Sequence, residues 1–306
     1  MPLTSLAQPF KISVIIATKD RHNVILDCLL SICRQTYLPF EIIVVDSSEN
    51  DKTKDELKRI PSSYLQPVYL HTRQQSSSLQ RNIGAKASSG DLLAFFDDDM
   101  VLNPDFLEKI TPIFSDKNKK IGGATGRITN EIHPRWTLVN VFRFLTFFSY
   151  PSYGEIRISG FHTEYNWCDK PLKVEWLYGY CVYRRNVFNT FLFDENLKGY
   201  AYNEDLDLSY RISREYECWY IPEAKVIHNK DTNRLSPKVA RAVVLHNYYL
   251  LNKNILPNKS VAMKFLHLTT FYIAIFSFLL FLLLTFKFKI FKGGMLGLGE
   301  IWFKKD

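Results

Sequence analysis

The chain is 306 residues long, with 46% hydrophobic, 15% aromatic and 23% charged residues, 13 glycines, 13 prolines and a formal net charge of +8. This composition excludes a disordered polymer and a Gly/Pro-rich fibrous repeat, and the length suffices for a sizeable core in one or two domains. Beyond residue 252 eight lysines face only Glu300 and Asp306, so six of the eight net charges flank one apolar segment. DNA or RNA would need a basic face on the folded domain, so nucleic acid is not an expected partner.

In chain order, residues 12–16 read as a strand, and residues 23–33 place Ile25, Leu26, Leu29, Leu30 and Cys33 on one helical stripe. A second strand over 42–45 ends at Asp46. A polar helix around 55–60, a strand over 68–70, a helix around 79–87 and a strand over 92–96 running into Asp97 follow. Strand and helix alternating in this way predict an α/β domain with a mostly parallel sheet and helices on both faces. Asp46 and Asp97 then sit at carboxyl ends of strands, the edge at which open α/β sheets bind ligands. No Gly-x-Gly-x-x-Gly follows the first strand, where Ala17-Thr18-Lys19-Asp20 stands, so a nicotinamide dehydrogenase is not expected.

Asn103-Pro104 reads as the N-cap and first residue of a helix over 106–114. From Trp136 to Tyr183 the texture changes, and 14 of 48 residues are aromatic. They form either a second layer of core or a partly exposed surface for a lipid or a sugar ring. Residues 265–286 contain no Asp, Glu, Lys or Arg. A helix of that length, about 33 Å, matches a hydrocarbon core of about 30 Å. One catalytic domain over 1–251 and a membrane-associating tail over 252–306 are therefore expected. Residues 1–10 lack a basic start and a long apolar run, so the catalytic domain is expected in the cytoplasm. Five cysteines (Cys28, Cys33, Cys168, Cys181, Cys218), without a Cys-x-x-Cys pair, read as reduced core thiols.

Three groups of residues suggest chemistry. Asp97-Asp98-Asp99 follows an apolar strand, where crowded carboxylates call for a divalent cation. In an extended segment Asp97 and Asp99 point to one side and Asp98 to the other. Asn203-Glu204-Asp205 reads as a helix start with Asn203 as N-cap, its acids in the first turn. His228, after the apolar residues 226–227, would complete a three-ligand metal site.

Taken together, Ser13-Val14-Ile15-Ile16-Ala17-Thr18-Lys19-Asp20-Arg21, Val44-Val45-Asp46-Ser47-Ser48, Arg81-Asn82-Ile83-Gly84-Ala85 with Gly90-Asp91, Asp97-Asp98-Asp99 and Glu204-Asp205 resemble the family 2 glycosyltransferases of GT-A fold. The resemblance covers about residues 10–230. It implies a Rossmann-like sheet and inverting transfer of a sugar from a nucleotide-diphosphate sugar to an acceptor hydroxyl, with Mg²⁺ or Mn²⁺ as cofactor. It also implies that Thr18, Asp20 and Asp46 line the nucleotide pocket with Arg81 nearby, and that Asp97 and Asp98 contact the nucleotide-sugar. Asp99 would bind the metal, with Asp97 and His228 as further ligands. Asp205 would be the general base, with Glu204 beside it on the acceptor side, and residues 176–185 would close over both substrates. No Gln-x-x-Arg-Trp follows Asp205, so single additions are expected rather than processive synthesis. A membrane-bound enzyme of this kind suits cell-surface polysaccharide or glycolipid synthesis, with a saccharide or lipid-linked saccharide as acceptor. A non-catalytic membrane-bound sugar-nucleotide scaffold or sensor is the competing reading.

Overall fold

The computed structural model describes residues 9–116, 118–131, 153–197, 202–229 and 236–303, so part of the aromatic-rich stretch, 132–152, lies outside the described residues. The aliphatic runs form β1 (Ile12–Thr18), β2 (Glu41–Asp46), β3 (Val68–His71) and β4 (Leu92–Asp97), separated by α1 (His22–Cys33), α2 (Lys52–Leu57) and α3 (Ser77–Ala87). These four strands pair in parallel in the order β3-β2-β1-β4, as the alternation predicts. Both faces of β1 are covered. Val14 and Ile16 pack with Ile25, Leu29 and Ile32 of α1, and Ile15 faces Ala85 of α3 with Leu93 and Phe95. The buried stripe of α1 differs from the expected one: Cys28 and Ile32 are buried, and Leu26 and Leu30 lie half-buried at its edges.

Beyond residue 100 come β5 (Met100–Leu102), α4 (Phe106–Ile110), β6 (Ile121–Ile128), β7 (Leu172–Val174), β8 (Cys181–Arg184), α5 (Glu204–Ser213) and β9 (Glu217–His228). Here the expectation of a mostly parallel sheet needs correction. β8 runs antiparallel to β4 and β6, and β5 and β7 run antiparallel to β9, while β6 and β9 are parallel. The helix expected after Asn103-Pro104 also begins later, at Phe106. Asp105 occupies its cap position without a side-chain cap, and Asn103 offers only its carbonyl, which accepts from Phe106 N at 3.0 Å. That helix tightens at Thr111–Ser115 into a 3₁₀ turn carrying Pro112.

The chain ends in α6 (Pro237–Leu250), a π-helical turn Leu251–Ile255, α7 (Val261–Leu284) and α8 (Phe288–Phe303). Ser236 and Ser260 cap α6 and α7, accepting from Val239 N at 3.2 Å and Met263 N at 3.4 Å. The three helices share a core of Val243, Val244, Phe271, Ile275, Leu279 and Leu298. Phe161 joins this core by stacking on Phe271 at 6.0 Å, and His267 Nδ1 lies 2.5 Å from the Ile158 carbonyl. Among the described residues, α7 is the one helix long and apolar enough, by length and composition, to cross a membrane. One side of it packs inward, while Phe265, Phe276, Leu280 and Leu284 are exposed.

Close packing of α8 on α6 depends on glycine. A Cβ at Gly293 would collide with the Pro237 carbonyl, and one at Gly297 would come within 2.9 Å of the Arg241 carbonyl oxygen. Arg241 Nε and Nη2 clamp Glu300 at 2.5 and 2.6 Å beside this contact. Backbone cannot yield as a side chain tip can. Gly293→Ala is therefore expected to cost about 1–3 kcal/mol despite the better helix propensity of alanine. A lowered melting temperature and faster proteolytic release of α8 would register it, and an unchanged melting temperature would contradict the tight contact.

Candidate active site

Strand register assembles the site before any side-chain contact does. Thr18 pairs with Asp46 across β1 and β2, and Ala17 with Asp97 across β1 and β4, so Thr18, Asp46 and Asp97 share one edge of the sheet. The chain leaves β1 toward β2 on one side and returns as β4 on the other, which opens a crevice at that edge. On the antiparallel pair, Met100 lies opposite His228, and Asn229 N donates to the Asp99 carbonyl at 2.9 Å. This pairing delivers His228 to a segment more than a hundred residues earlier in the chain.

The three consecutive aspartates are not one extended segment as expected: Asp97 ends β4, and Asp98 and Asp99 lie on the turn after it, where Arg21 reaches both. Asp98 is buried, accepts from Thr18 Oγ1 at 2.6 Å and lies 3.3 Å from Arg21 Nη1. Burial pushes its carboxyl up to about 7, against the pull of Thr18 and Arg21. Asp99 accepts from Arg21 Nη2 at 2.7 Å, and its Oδ1 lies 3.0 Å from His228 Nε2. Burial opposes ionisation of Asp99 too, yet His228 and Arg21 outweigh it and hold the carboxyl below its usual range. Asp97, partly exposed, accepts from Arg81 Nη2 at 2.6 Å.

Asp97, Asp99 and His228 each offer a ligand atom within 4.8 Å of the others. Among the described residues, His228 Nδ1 is buried without a hydrogen-bond partner. Two carboxylates and one imidazole, with a ring nitrogen to spare, fit a divalent cation such as Mg²⁺ or Mn²⁺.

Arg81 ties this edge to α5. Its buried guanidinium pairs with both Asp97 and Glu204, and it lies over the Phe193 ring at 5.5 Å. Glu204 accepts in addition from Ser77 Oγ at 2.6 Å and Ser78 Oγ at 2.9 Å, so its carboxylate is turned inward onto α3. Asp205 beside it accepts from Leu206 N at 2.9 Å. Burial raises the Asp205 pKa, with Arg81 pulling the other way. Asn203 stands at the expected cap position but is left-handed, with φ 66°, and makes no side-chain cap. Its amide donates to Asn247 Oδ1 at 3.2 Å instead, which corrects the capping role expected for it.

Asp46 lies apart from the other acids. Ser48 N and Oγ donate to its Oδ1 at 2.9 and 2.6 Å, and Tyr69 OH to its Oδ2 at 3.1 Å. Asp20 is exposed, with φ 54°, and is held through its backbone N–H, which donates to Ser48 Oγ at 2.7 Å. Gln80 braces the β1 and β2 ends by donating to the Thr18 and Val45 carbonyls at 2.7 and 2.8 Å.

Gly179 faces the space between these groups. A Cβ there would stand 3.6 Å from Asp205 Oδ2, 3.7 Å from Arg81 Nη2 and 3.8 Å from Asp97 Oδ2. Sequence reasoning gave no role to Ser77, Ser78 or Gln80, and none to Gly179 or Arg21 beyond their places in the segment 176–185 and in a motif. Two serines at a helix start read as capping residues, and Ser76 does cap α3. Nothing in the sequence marks an isolated Gln80.

Comparison with known proteins bears on the family and the fold. Residues 13–191 match the family model for glycosyl transferase family 2. An uncharacterised glycosyltransferase of Rickettsia felis is 29% identical over 139 residues, which is 43% of this chain and 23% of that protein. A glucosyl-dolichyl phosphate glucuronosyltransferase of Haloferax volcanii is 32% identical over 111 residues, 34% of each chain. The chain thus spans about a quarter to a third of the length of such curated relatives. Among solved structures, the mannosyltransferase PcManGT from Pyrobaculum calidifontis in complex with GDP-Man and Mn²⁺ superposes with a TM-score of 0.61 at 16% identity, over 98% of this chain and 89% of that one.

Gly179→Ala tests this junction directly. A Cβ meets only ordinary contacts, at 3.6 Å and beyond, so the variant should fold with an unchanged melting temperature. Its methyl group would stand between Asp205 and Asp97, and transfer should fall by about 10-fold or more. Full activity in the folded variant would place the reacting groups elsewhere.

Proposed function

The chain belongs to glycosyl transferase family 2 and is a glycosyltransferase of GT-A fold, and on that premise we propose inverting, metal-dependent transfer of a sugar from a nucleoside-diphosphate sugar to an acceptor hydroxyl. The observation that carries this reading is the convergence of Asp205, Asp97 and Arg81 on Gly179, whose missing side chain lets the three groups meet.

Asp205 is the general base. It takes the proton of the acceptor hydroxyl as that oxygen attacks the anomeric carbon, and the bond to the diphosphate oxygen breaks on the opposite face, so one displacement inverts the configuration. Burial, which raises the Asp205 pKa, makes its carboxylate a stronger proton acceptor, while Arg81 favours the ionised form. Glu204, with both serines and Arg81 on its carboxylate, orients that guanidinium rather than exchanging protons. Asp97, Asp99 and His228 would hold Mg²⁺ or Mn²⁺, which when bound offsets the charge developing on the diphosphate. Asp46 with Tyr69, and the Thr18 to Asp20 turn, line the nucleotide end, where Asp98 and Arg21 support the floor.

The acceptor in this reading is a saccharide carried on a membrane lipid. Support comes from α7 and α8, whose exposed Phe265, Phe276, Leu280, Phe288 and Trp302 suit a bilayer, with lysines at both ends of α7 to meet anionic head groups. The dolichyl-phosphate chemistry in the name of the Haloferax relative points the same way. The catalytic domain then works at the cytoplasmic face and adds single sugars in polysaccharide or glycolipid synthesis.

A thermal-shift panel of UDP-, GDP- and dTDP-sugars with Mn²⁺ identifies the donor, since a ligand of the native state raises its melting temperature. With that donor, Asp205→Asn should reduce transfer by about 1,000-fold or more while donor binding persists, and unchanged turnover would sink the base assignment. Chelation with EDTA should abolish transfer and added Mn²⁺ or Mg²⁺ restore it; turnover indifferent to EDTA would remove the metal from the mechanism.

A further inference from the structure

A second charge cluster lies behind α5, on the side away from the substrate space. The Asp207 side chain is fully buried, and its carboxylate receives Lys253 Nζ at 2.8 and 3.0 Å, Arg211 Nε and Nη2 at 3.0 and 2.7 Å, and Asn254 Nδ2 at 2.8 Å. Lys253 Nζ also donates to Asp194 Oδ2 at 2.5 Å, where Tyr249 OH donates at 2.7 Å. Two carboxylates and two cations balance, but taking them out of water offsets most of their attraction, so stability is a poor reason for such a group. Its geometry explains more. Lys253 and Asn254 lie on the π-helical turn Leu251–Ile255, in the joint between α6 and the apolar α7, and such turns recur at functional positions.

A second tie sits one turn earlier on the catalytic helix. Asn247 Oδ1 accepts from Asn203, and His246 Nδ1 lies 2.9 Å from the Tyr202 carbonyl. Asn203 is the left-handed residue that sets the entry angle of α5, a conformation disfavoured for a non-glycine residue. One tie therefore holds residues 202 and 203 and the other holds residue 207. Glu204 and Asp205 lie between them.

We propose that Lys253 is a positioning residue for catalysis: through Asp207, and together with Asn247 on Asn203, it clamps α5 so that Asp205 and Glu204 keep their orientation, and the base thereby depends on how the joint leading into the apolar helix is seated. The proposal rests on Asp205 being the base. It touches neither the metal ligands nor the nucleotide end, so it separates turnover from donor binding.

The test uses the full chain in detergent, measuring release of nucleoside diphosphate from the donor that the UDP-, GDP- and dTDP-sugar panel selects, with membrane lipid extract as acceptor. Lys253→Met should lower kcat by about 10–100-fold with donor KM changed less than about twofold, because a displaced base costs rate without costing donor contacts. Lys253→Arg, which keeps the charge, should recover to within about fivefold of the parent. A folded Lys253→Met with parental kcat overturns the proposal, and so does a loss that Lys253→Arg shares in full. If Lys253→Met does not fold, Asn247→Ser decides, since it cuts the Asn203 tie and leaves every charge in place: kcat should fall about fivefold at constant donor KM, and parental kcat overturns the clamp. Asp205→Asn run alongside keeps the two claims apart. If it retains turnover, base and clamp fall together; if it abolishes turnover while Lys253→Met is unaffected, only the clamp falls.

Discussion

Asp97, Asp98, Asp99, Glu204 and Asp205 crowd one edge of the sheet, and within the described residues Arg81 and Arg21 are the guanidinium groups that pair with them. Like charges at such separations repel strongly in a poorly screened interior, so each carboxylate needs a specific answer. Asp98 answers by resisting ionisation, with Thr18 donating to it. Glu204 is answered by Arg81 and two serine hydroxyls, and Asp99 by Arg21 and His228. Asp97 and Asp205 meet at Gly179, with Arg81 as the cation they share. The remaining excess of negative charge is what suits this edge to a cation and to the removal of a proton.

Arg81 does more than neutralise. Its buried guanidinium joins the end of β4 to the start of α5, elements separated by about a hundred residues, and its planar fork fixes both partners at once. Neighbouring strands set the distances on the other side. The antiparallel pairing of β5 with β9 places His228 against Asp99, a contact that a wholly parallel sheet would not make. The departure from parallel order is therefore what completes the candidate metal site.

The C-terminal helices extend this logic outward. Phe161 stacks on Phe271, and Asn247, Lys253 and Asn254 reach α5, so the apolar segment is packed onto the machinery it follows in sequence. Its glycine-lined contact between α6 and α8 leaves the large apolar side chains to the outer surface. One sequence segment thus presents an inward face to the catalytic half and an outward face with the composition of a lipid contact.

Much of this was legible in the sequence, element by element. Period and punctuation located β1 to β4 and α1 to α3, because a strand or helix declares its buried face within a few residues. The same local logic placed Asp46 and Asp97 at strand ends, but not the turn that carries Asp98 and Asp99. Capping was less legible: Asn103 and Asn203 both have cap chemistry, yet the chain turns at Asp105 in one case and Asn203 bonds to Asn247 in the other. By itself the sequence determined the α/β alternation, the acidic edge and the apolar tail, all properties of neighbouring residues. Only the tertiary structure decided that Glu204 grips Arg81, that His228 meets Asp99, that Gly179 lies between Asp205 and Asp97 and that Lys253 reaches Asp207. These contacts join residues dozens to more than a hundred positions apart, and their distances are set by how whole elements pack, which no local pattern encodes.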